Sequence, residues 1–179
     1  MTLLSSRRIF TGRVVSLDVD TVQFPNGNTG DLEMLRHPGA SAVVPFLDDP
    51  ASDDPRVLLI RQFRHATGGN LWEIPAGRRD RNETPGEAAR RELREETGYT
   101  CNYLEPLTTF WTTPGFTDER IDVFLATGLT HGHAAREDDE VIELHEFRWS
   151  EVLRMVRDGE IDDAKSVIAI LYAEIWERS

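Results

Sequence analysis

The sequence predicts an α+β fold, of mixed strands with few and separated helices or of a three-layer α/β/α sandwich, on three observations. Apolar runs suited to strands recur at Ser41 to Leu47, Arg56 to Phe63 and Leu71 to Ile74. One strongly capped helix opens at Pro85, and two further helical patterns close the chain after Ser150. A length of 179 residues fits one ordinary domain with a small appended sheet.

Along the chain, Gly12 to Phe24 alternates in polarity, turns at Pro25-Asn26-Gly27, and resumes from Asp31 to His37. This predicts a hairpin, the basis of a small antiparallel sheet over residues 1–38, and the break at His37-Pro38-Gly39 separates it from a main domain over 39–179. Met1 to Phe10 carries Arg7 and Arg8 with no apolar run after them, so no targeting segment is expected there. Val57-Leu58-Leu59-Ile60 suits a strand buried on both faces. The stretch Thr84-Pro85-Gly86-Glu87 combines a cap, a first-turn proline and a glutamate three residues after the cap, and Gly98 ends the helix. Strands are expected at 103–112, 120–127 and 141–149, with a charged loop at 131–140. Ser150 and Asp162 or Asp163 are the candidate caps of the last two helices.

Composition excludes several classes of function. A net charge of -12 argues against a nucleic-acid partner, because phosphate backbones are bound by basic surfaces. Nothing approaches the ~20 apolar residues of a membrane span, so no membrane partner is expected. Cys101, the only cysteine, allows no intrachain disulfide and has no visible basic neighbour; a soluble protein of the reducing cytoplasm is the simplest reading. Lys165, the only lysine among many arginines, is read as composition, and the tryptophans Trp72, Trp111, Trp149 and Trp176 as core or interface.

The chemistry concentrates on the capped helix. At α-helical spacing, Glu92, Glu95 and Glu96 stand at i, i+3 and i+4 and project into one arc. Like charges so placed cost a helix roughly 0.2 to 0.5 kcal/mol per pair, and a divalent cation with oxygen ligands reverses the sign. Arg91, Glu87 and Arg94 offer partial compensation, so these glutamates by themselves are better read as an exposed, salt-bridged helix. Wider spacing separates the two readings. From Gly77 the chain runs five residues to Glu83, seven more, then Arg91-Glu92-Leu93-Arg94-Glu95-Glu96-Thr97-Gly98-Tyr99.

That run matches every constrained position of the Nudix box, G-x5-E-x7-R-E-U-x-E-E-x-G-U with U bulky and apolar, and the chain resembles the Nudix hydrolases. Chance agreement is expected at fewer than about one in ten million starting points. The resemblance implies a Nudix fold, an α/β/α sandwich with a mixed sheet, and metal-dependent cleavage of a phosphoanhydride. It implies two or three Mg2+ or Mn2+ ions held by the Ala76 carbonyl, Glu92 and Glu96 with Glu95 assisting, and Arg91 with Glu83 holding the loop against the helix.

Thr112-Thr113-Pro114-Gly115-Phe116-Thr117-Asp118-Glu119 is similar to the segment that marks the ADP-ribose pyrophosphatases, with Pro114 fifteen residues after Tyr99. Arg61-Gln62-Phe63-Arg64, Trp72-Glu73-Ile74-Pro75-Ala76-Gly77 and Gly159-Glu160-Ile161-Asp162-Asp163-Ala164 extend the likeness from about Gly39 to Trp176. It implies hydrolysis of ADP-ribose to AMP and ribose 5-phosphate. The alternatives are another nucleoside diphosphate sugar such as a GDP-hexose, or a non-catalytic domain that senses such a ligand. Arg64 would contact the diphosphate or terminal ribose, Pro114 lies in the marking segment, and Gly115 and Glu119 would face the ribose. Glu33 or a neighbour would reach adenine across a homodimer with exchanged N-terminal sheets. The general base would lie in the loop Arg136-Glu137-Asp138-Asp139-Glu140: Glu140 stands at a metal-contacting position and is the first candidate, followed by Glu137 and Asp138, with Glu95 next. Asp138 departs from the family, which generally has glutamate there.

Overall fold

The structure, a computed structural model, describes residues 1–132 and 142–177. Its chain forms two units, one made of Met1–Gly39 with Phe110–Ile121, the other of Ala40–Thr109 with Asp122–Ser179.

In the first unit the turn at Gly27, whose φ of 87° suits glycine, joins β2 (Ser16–Gln23) to β3 (Thr29–Arg36) in the expected hairpin. A third strand that the sequence pattern did not disclose, β1 (Thr2–Thr11), pairs antiparallel with β2 to give the order β1-β2-β3. It escapes the apolar pattern because all ten of its residues are exposed, so no period-2 burial marks it. Asp18 and Asp20, both buried, make the hairpin's electrostatic centre. Arg36 donates to Asp18 at 3.1 Å and to Asp20, while Arg8 and Ser6 of β1 reach the same two carboxylates. These hydrogen bonds pull both carboxyl groups below their usual range against the opposing effect of burial. The 110–121 segment hooks onto β3 through Leu35 N–H to the Phe116 carbonyl at 2.8 Å and His37 N–H to Asp118 at 2.8 Å.

The second unit is built on β4 (Ala40–Pro45), β5 (Arg56–Arg64), β6 (Gly69–Glu73), β7 (Ala76–Arg78), β8 (Tyr99–Trp111), β9 (Arg120–His131) and β10 (Ile142–Arg148), the ends of β8 and β9 running into the first unit. They form a four-stranded sheet β7-β4-β9-β8 and a three-stranded antiparallel sheet β10-β5-β6. The helices are α1 (Pro85–Glu92), α2 (Trp149–Arg157) and α3 (Ala164–Glu177). Small Ala88 and Ala89 let α1 lie close to β4, and Ala89 and Leu93 pack on Val43, Phe124 and Ala126. Each large apolar side chain buried there contributes about 1.5 to 3 kcal/mol. Val57 to Ile60 are fully buried, as a strand covered on both faces requires.

Two local expectations need correction. Ser150 does not cap α2, whose N-cap residue is Arg148; the Ser150 N–H and hydroxyl bond Asp54 at 2.9 and 3.0 Å instead. The helix from Pro85 does not stay α-helical to Thr97 but widens into a π turn over Leu93–Thr97. Of the tryptophans read as core or interface, Trp149 is core, packed on Phe46 at 4.9 Å between ring centroids, while Trp111 is exposed in the single chain and lies beneath Arg120, which leaves the interface reading untested for it. Asp163 behaves as a cap, accepting from the Ser166 N–H at 3.0 Å. No helix among the described residues is long and apolar enough to cross a membrane.

Candidate metal centre

The helix that carries the glutamates starts where the sequence sets it. Thr84 accepts from the Glu87 N–H at 3.3 Å, Glu87 accepts from the Thr84 N–H at 2.9 Å, and Pro85 occupies the first turn, where no N–H partner is needed. Gly98 closes it with φ 78°, the left-handed geometry a helix end wants. Between them the Thr97 hydroxyl donates to the Leu93 carbonyl, and the backbone opens to hydrogen bonds reaching five residues back. Glu92 and Glu96 are buried, and Glu95 stays partly exposed beside Arg91 and Arg94, so the three carboxylates do not share one arc equally.

Both buried carboxylates meet the segment from Ala76 to Arg78. Glu96 accepts from the Ala76 N–H at 2.9 Å. Glu92 lies so near Gly77 that a Cβ there would fall 2.0 Å from its Oε1, which is the physical reason for glycine at this position. Arg91 then ties three segments together. Its fork donates twice to Glu83 at 2.9 Å, its other amino group reaches Glu92 at 2.6 Å and Glu95 at 3.1 Å, and it also donates to the Arg78 carbonyl at 2.9 Å. The bidentate bond from Arg91 lowers the Glu83 carboxyl below its ordinary range and, reciprocally, Glu83 raises the arginine.

Among the described residues, no three acidic, histidine or cysteine side chains converge as a preformed metal cage. The donor chemistry nevertheless fits a hard cation. Mg2+ keeps several waters and needs only one or two carboxylates with oxygen partners, and Glu92 and Glu96 present all-oxygen donors beside the backbone of Ala76. The buried Ser41 hydroxyl, which has no hydrogen-bond partner among the described residues, adds a further polar atom on the strand paired with Gly77.

Arg64, expected to face a diphosphate, is held by a carboxylate that the sequence reading did not single out. Its Nε and Nη2 donate to Glu73 at 2.7 and 2.8 Å, and its Nη1 makes no hydrogen bond among the described residues. Lys165 also donates to Glu73 and bonds Asp163 at 2.9 Å. Asp163 accepts from the Ser166 hydroxyl, which in turn accepts from the Ile74 N–H at 2.9 Å. Glu73 is 1% exposed. Burial would raise its carboxyl, but the hydrogen bond from Arg64 and the charge of Lys165 outweigh it, and the net shift is downward. Lys165 is therefore a structural cation rather than a compositional accident. Its signal was its uniqueness, a lone lysine in the first turn of a helix, where a positive charge opposes the dipole unless an anion meets it.

Pro114, Gly115, Glu119 and Glu33 fall in the first unit. Pro114, Gly115 and Glu33 are exposed, and Glu119 bonds the Thr112 hydroxyl at 2.9 Å and lies 3.4 Å from His37. Cys101 does have a basic neighbour, since Arg90 donates to its carbonyl at 2.9 Å and to its sulfur at 3.1 Å, although burial dominates and raises the thiol. Glu137, Asp138 and Glu140 lie outside the described residues.

Comparison with known proteins gives the family and the fold. A model of the NUDIX domain matches residues 36–169. The chain is 39% identical over 176 residues to a methanol dehydrogenase activator of Bacillus methanolicus, covering 97% of this chain and 92% of that protein. It is equally 39% identical over 176 residues to an ADP-ribose pyrophosphatase of Bacillus subtilis strain 168, with the same coverage of 97% and 92%. A solved structure of an ADP compounds hydrolase superposes with a TM-score of 0.83 over 98% of this chain and 92% of the other; at 22% identity that likeness concerns the fold.

Proposed function

This chain belongs to the NUDIX domain family and is a Nudix pyrophosphatase, and from that membership we propose that it hydrolyses ADP-ribose, with water, to AMP and ribose 5-phosphate. The observation that carries the reading is the pair of buried carboxylates, Glu92 and Glu96, set against the Ala76–Arg78 segment by Arg91. The ADP-ribose pyrophosphatase of Bacillus subtilis, matched over nearly its whole length, supports the choice of substrate. Two or three Mg2+ or Mn2+ ions would be held by Glu92, Glu96 and the Ala76 carbonyl, with Glu95 assisting. Such ions neutralise a diphosphate and activate a water for in-line attack on phosphorus.

The chain's own residues do the rest. Arg91 draws together the loop at Glu83, the strand at Arg78 and the helix, and so keeps Glu92 and Glu96 beside the Ala76–Arg78 segment before use. Arg64, braced by Glu73, offers Nη1 to a phosphate oxygen with its side chain already ordered. Glu140, with Glu137 and Asp138 after it, takes the proton from the attacking water, a role read from the sequence.

The test is a panel of nucleoside diphosphate sugars assayed with Mg2+ and with Mn2+, the products separated by chromatography. ADP-ribose should give AMP and ribose 5-phosphate, and Glu92→Gln and Glu96→Gln should each lose orders of magnitude in turnover while circular dichroism is unchanged. Near-normal turnover of both variants at saturating metal would refute the metal assignment. Glu137→Gln, Asp138→Asn and Glu140→Gln, made separately, should include one loss of at least about a hundredfold.

A further inference from the structure

Ser41 is fully buried on β4, and its hydroxyl has no hydrogen-bond partner among the described residues. A buried hydroxyl without a partner is costly and needs a reason. Its direction follows from two independent observations. In the antiparallel pairing of β4 with β7, Ser41 stands opposite Gly77, and opposed residues project to the same face with Cβ atoms about 4.5 to 5.5 Å apart. The Cβ direction of Gly77 is where the Glu92 carboxylate sits, with Oε1 at 2.0 Å and Oε2 at 2.5 Å from that point. Val43, two residues along β4 and so on the same face, packs on Ala89 and Leu93 under the helix that carries Glu92. Ser41 thus lies beneath α1, on the face that receives Glu92.

Glu92 is at present engaged by Arg91 at 2.6 Å. A carboxylate that binds a divalent cation is usually hydrogen-bonded in turn, and such outer partners orient it. We propose that Ser41 is a positioning residue for Glu92: its hydroxyl donates to the carboxylate when Glu92 turns from Arg91 to hold a divalent cation. The proposal rests on the metal reading given above.

The experiment uses the intact, chelator-stripped protein and Mn2+ alone. Mn2+ affinity is measured by titration calorimetry and electron paramagnetic resonance for wild type, Ser41→Ala, Ser41→Cys and Glu92→Gln, and Tm is recorded without metal. Ser41→Ala should bind Mn2+ about tenfold more weakly or worse, while its metal-free Tm holds or rises by about 2 °C, since an unpartnered hydroxyl is removed. Ser41→Cys, with a weaker donor of similar size, should fall between them. Unchanged Mn2+ affinity in Ser41→Ala overturns the proposal while Glu92→Gln still abolishes the site. A metal-free Tm several degrees lower in Ser41→Ala also overturns it, since packing would then be the role of Ser41. Wild type lacking any Mn2+ site that Glu92→Gln removes would overturn both this proposal and the metal reading beneath it.

Discussion

Gly77 illustrates how one residue can decide chemistry without deciding the fold. The atoms a Cβ would meet are the carboxylate end of Glu92, which can swing away, and not backbone. Gly77→Ala should therefore keep a near-native Tm yet displace Glu92 and lose turnover to the level of Glu92→Gln; wild-type turnover in this variant would show that Glu92 need not occupy that place. Glu73 makes the opposite case. It is shared by two cations, Arg64 and Lys165, the second also held by Asp163, so Glu73→Gln takes a buried carboxylate from both and should cost about 3 to 5 kcal/mol. Lys165→Met leaves Glu73 with Arg64 and should cost less, about 1.5 to 3 kcal/mol, the worth of a charged hydrogen bond. Because the folded carboxyl of Glu73 lies below its ordinary value of 4.5, its stabilisation is complete above that pH and is lost as pH falls through the lower folded value. Urea unfolding between pH 6 and pH 3 should show a fall in wild type that is flatter in Glu73→Gln.

At the scale of the element, the helical run from Pro85 to Thr97 is specified locally at both ends, and its last five residues form a π turn. Thr84 contributes both halves of the capping arrangement, since its hydroxyl accepts from Glu87 N–H and its own N–H is covered by the Glu87 carboxylate. Thr84→Ala should cost about 1 kcal/mol, a Tm lower by about 2 to 4 °C, with turnover at saturating metal little changed. A large loss of turnover instead would mean that the cap sets the position of the carboxylates and not only the stability of the helix. The π turn after Glu92 carries no propensity signal, and the short bond from Thr97 to Leu93 recurs in many ordinary helices.

At the scale of the molecule, β1 presents Leu3, Leu4, Ile9 and Phe10 to solvent on a sheet edge, a combination that soluble chains seldom leave uncovered. We propose that a second copy covers it, in a homodimer formed through the N-terminal sheets. Sedimentation should give the mass of a dimer, and Ile9→Asp combined with Phe10→Asp should give a monomer with impaired ADP-ribose hydrolysis. A wild-type monomer with full activity would end that proposal.

Sequence alone determined what is local or carried by spacing. The hairpin turn at Gly27, the caps at Thr84 and Gly98, the buried run from Val57 to Ile60 and the box from Gly77 to Tyr99 each sit within a short window whose chemistry has few other meanings. Only tertiary structure decided the rest, because it depends on residues far apart in the chain. Glu73 meets Lys165 across 92 positions, Arg36 meets Asp118 across 82, and Ser41 stands opposite Gly77 only because β4 pairs with β7. Such encounters leave no period in the sequence. They arise when strands align and side chains that are unremarkable in order become neighbours in a medium where an unpaired charge or hydroxyl is expensive.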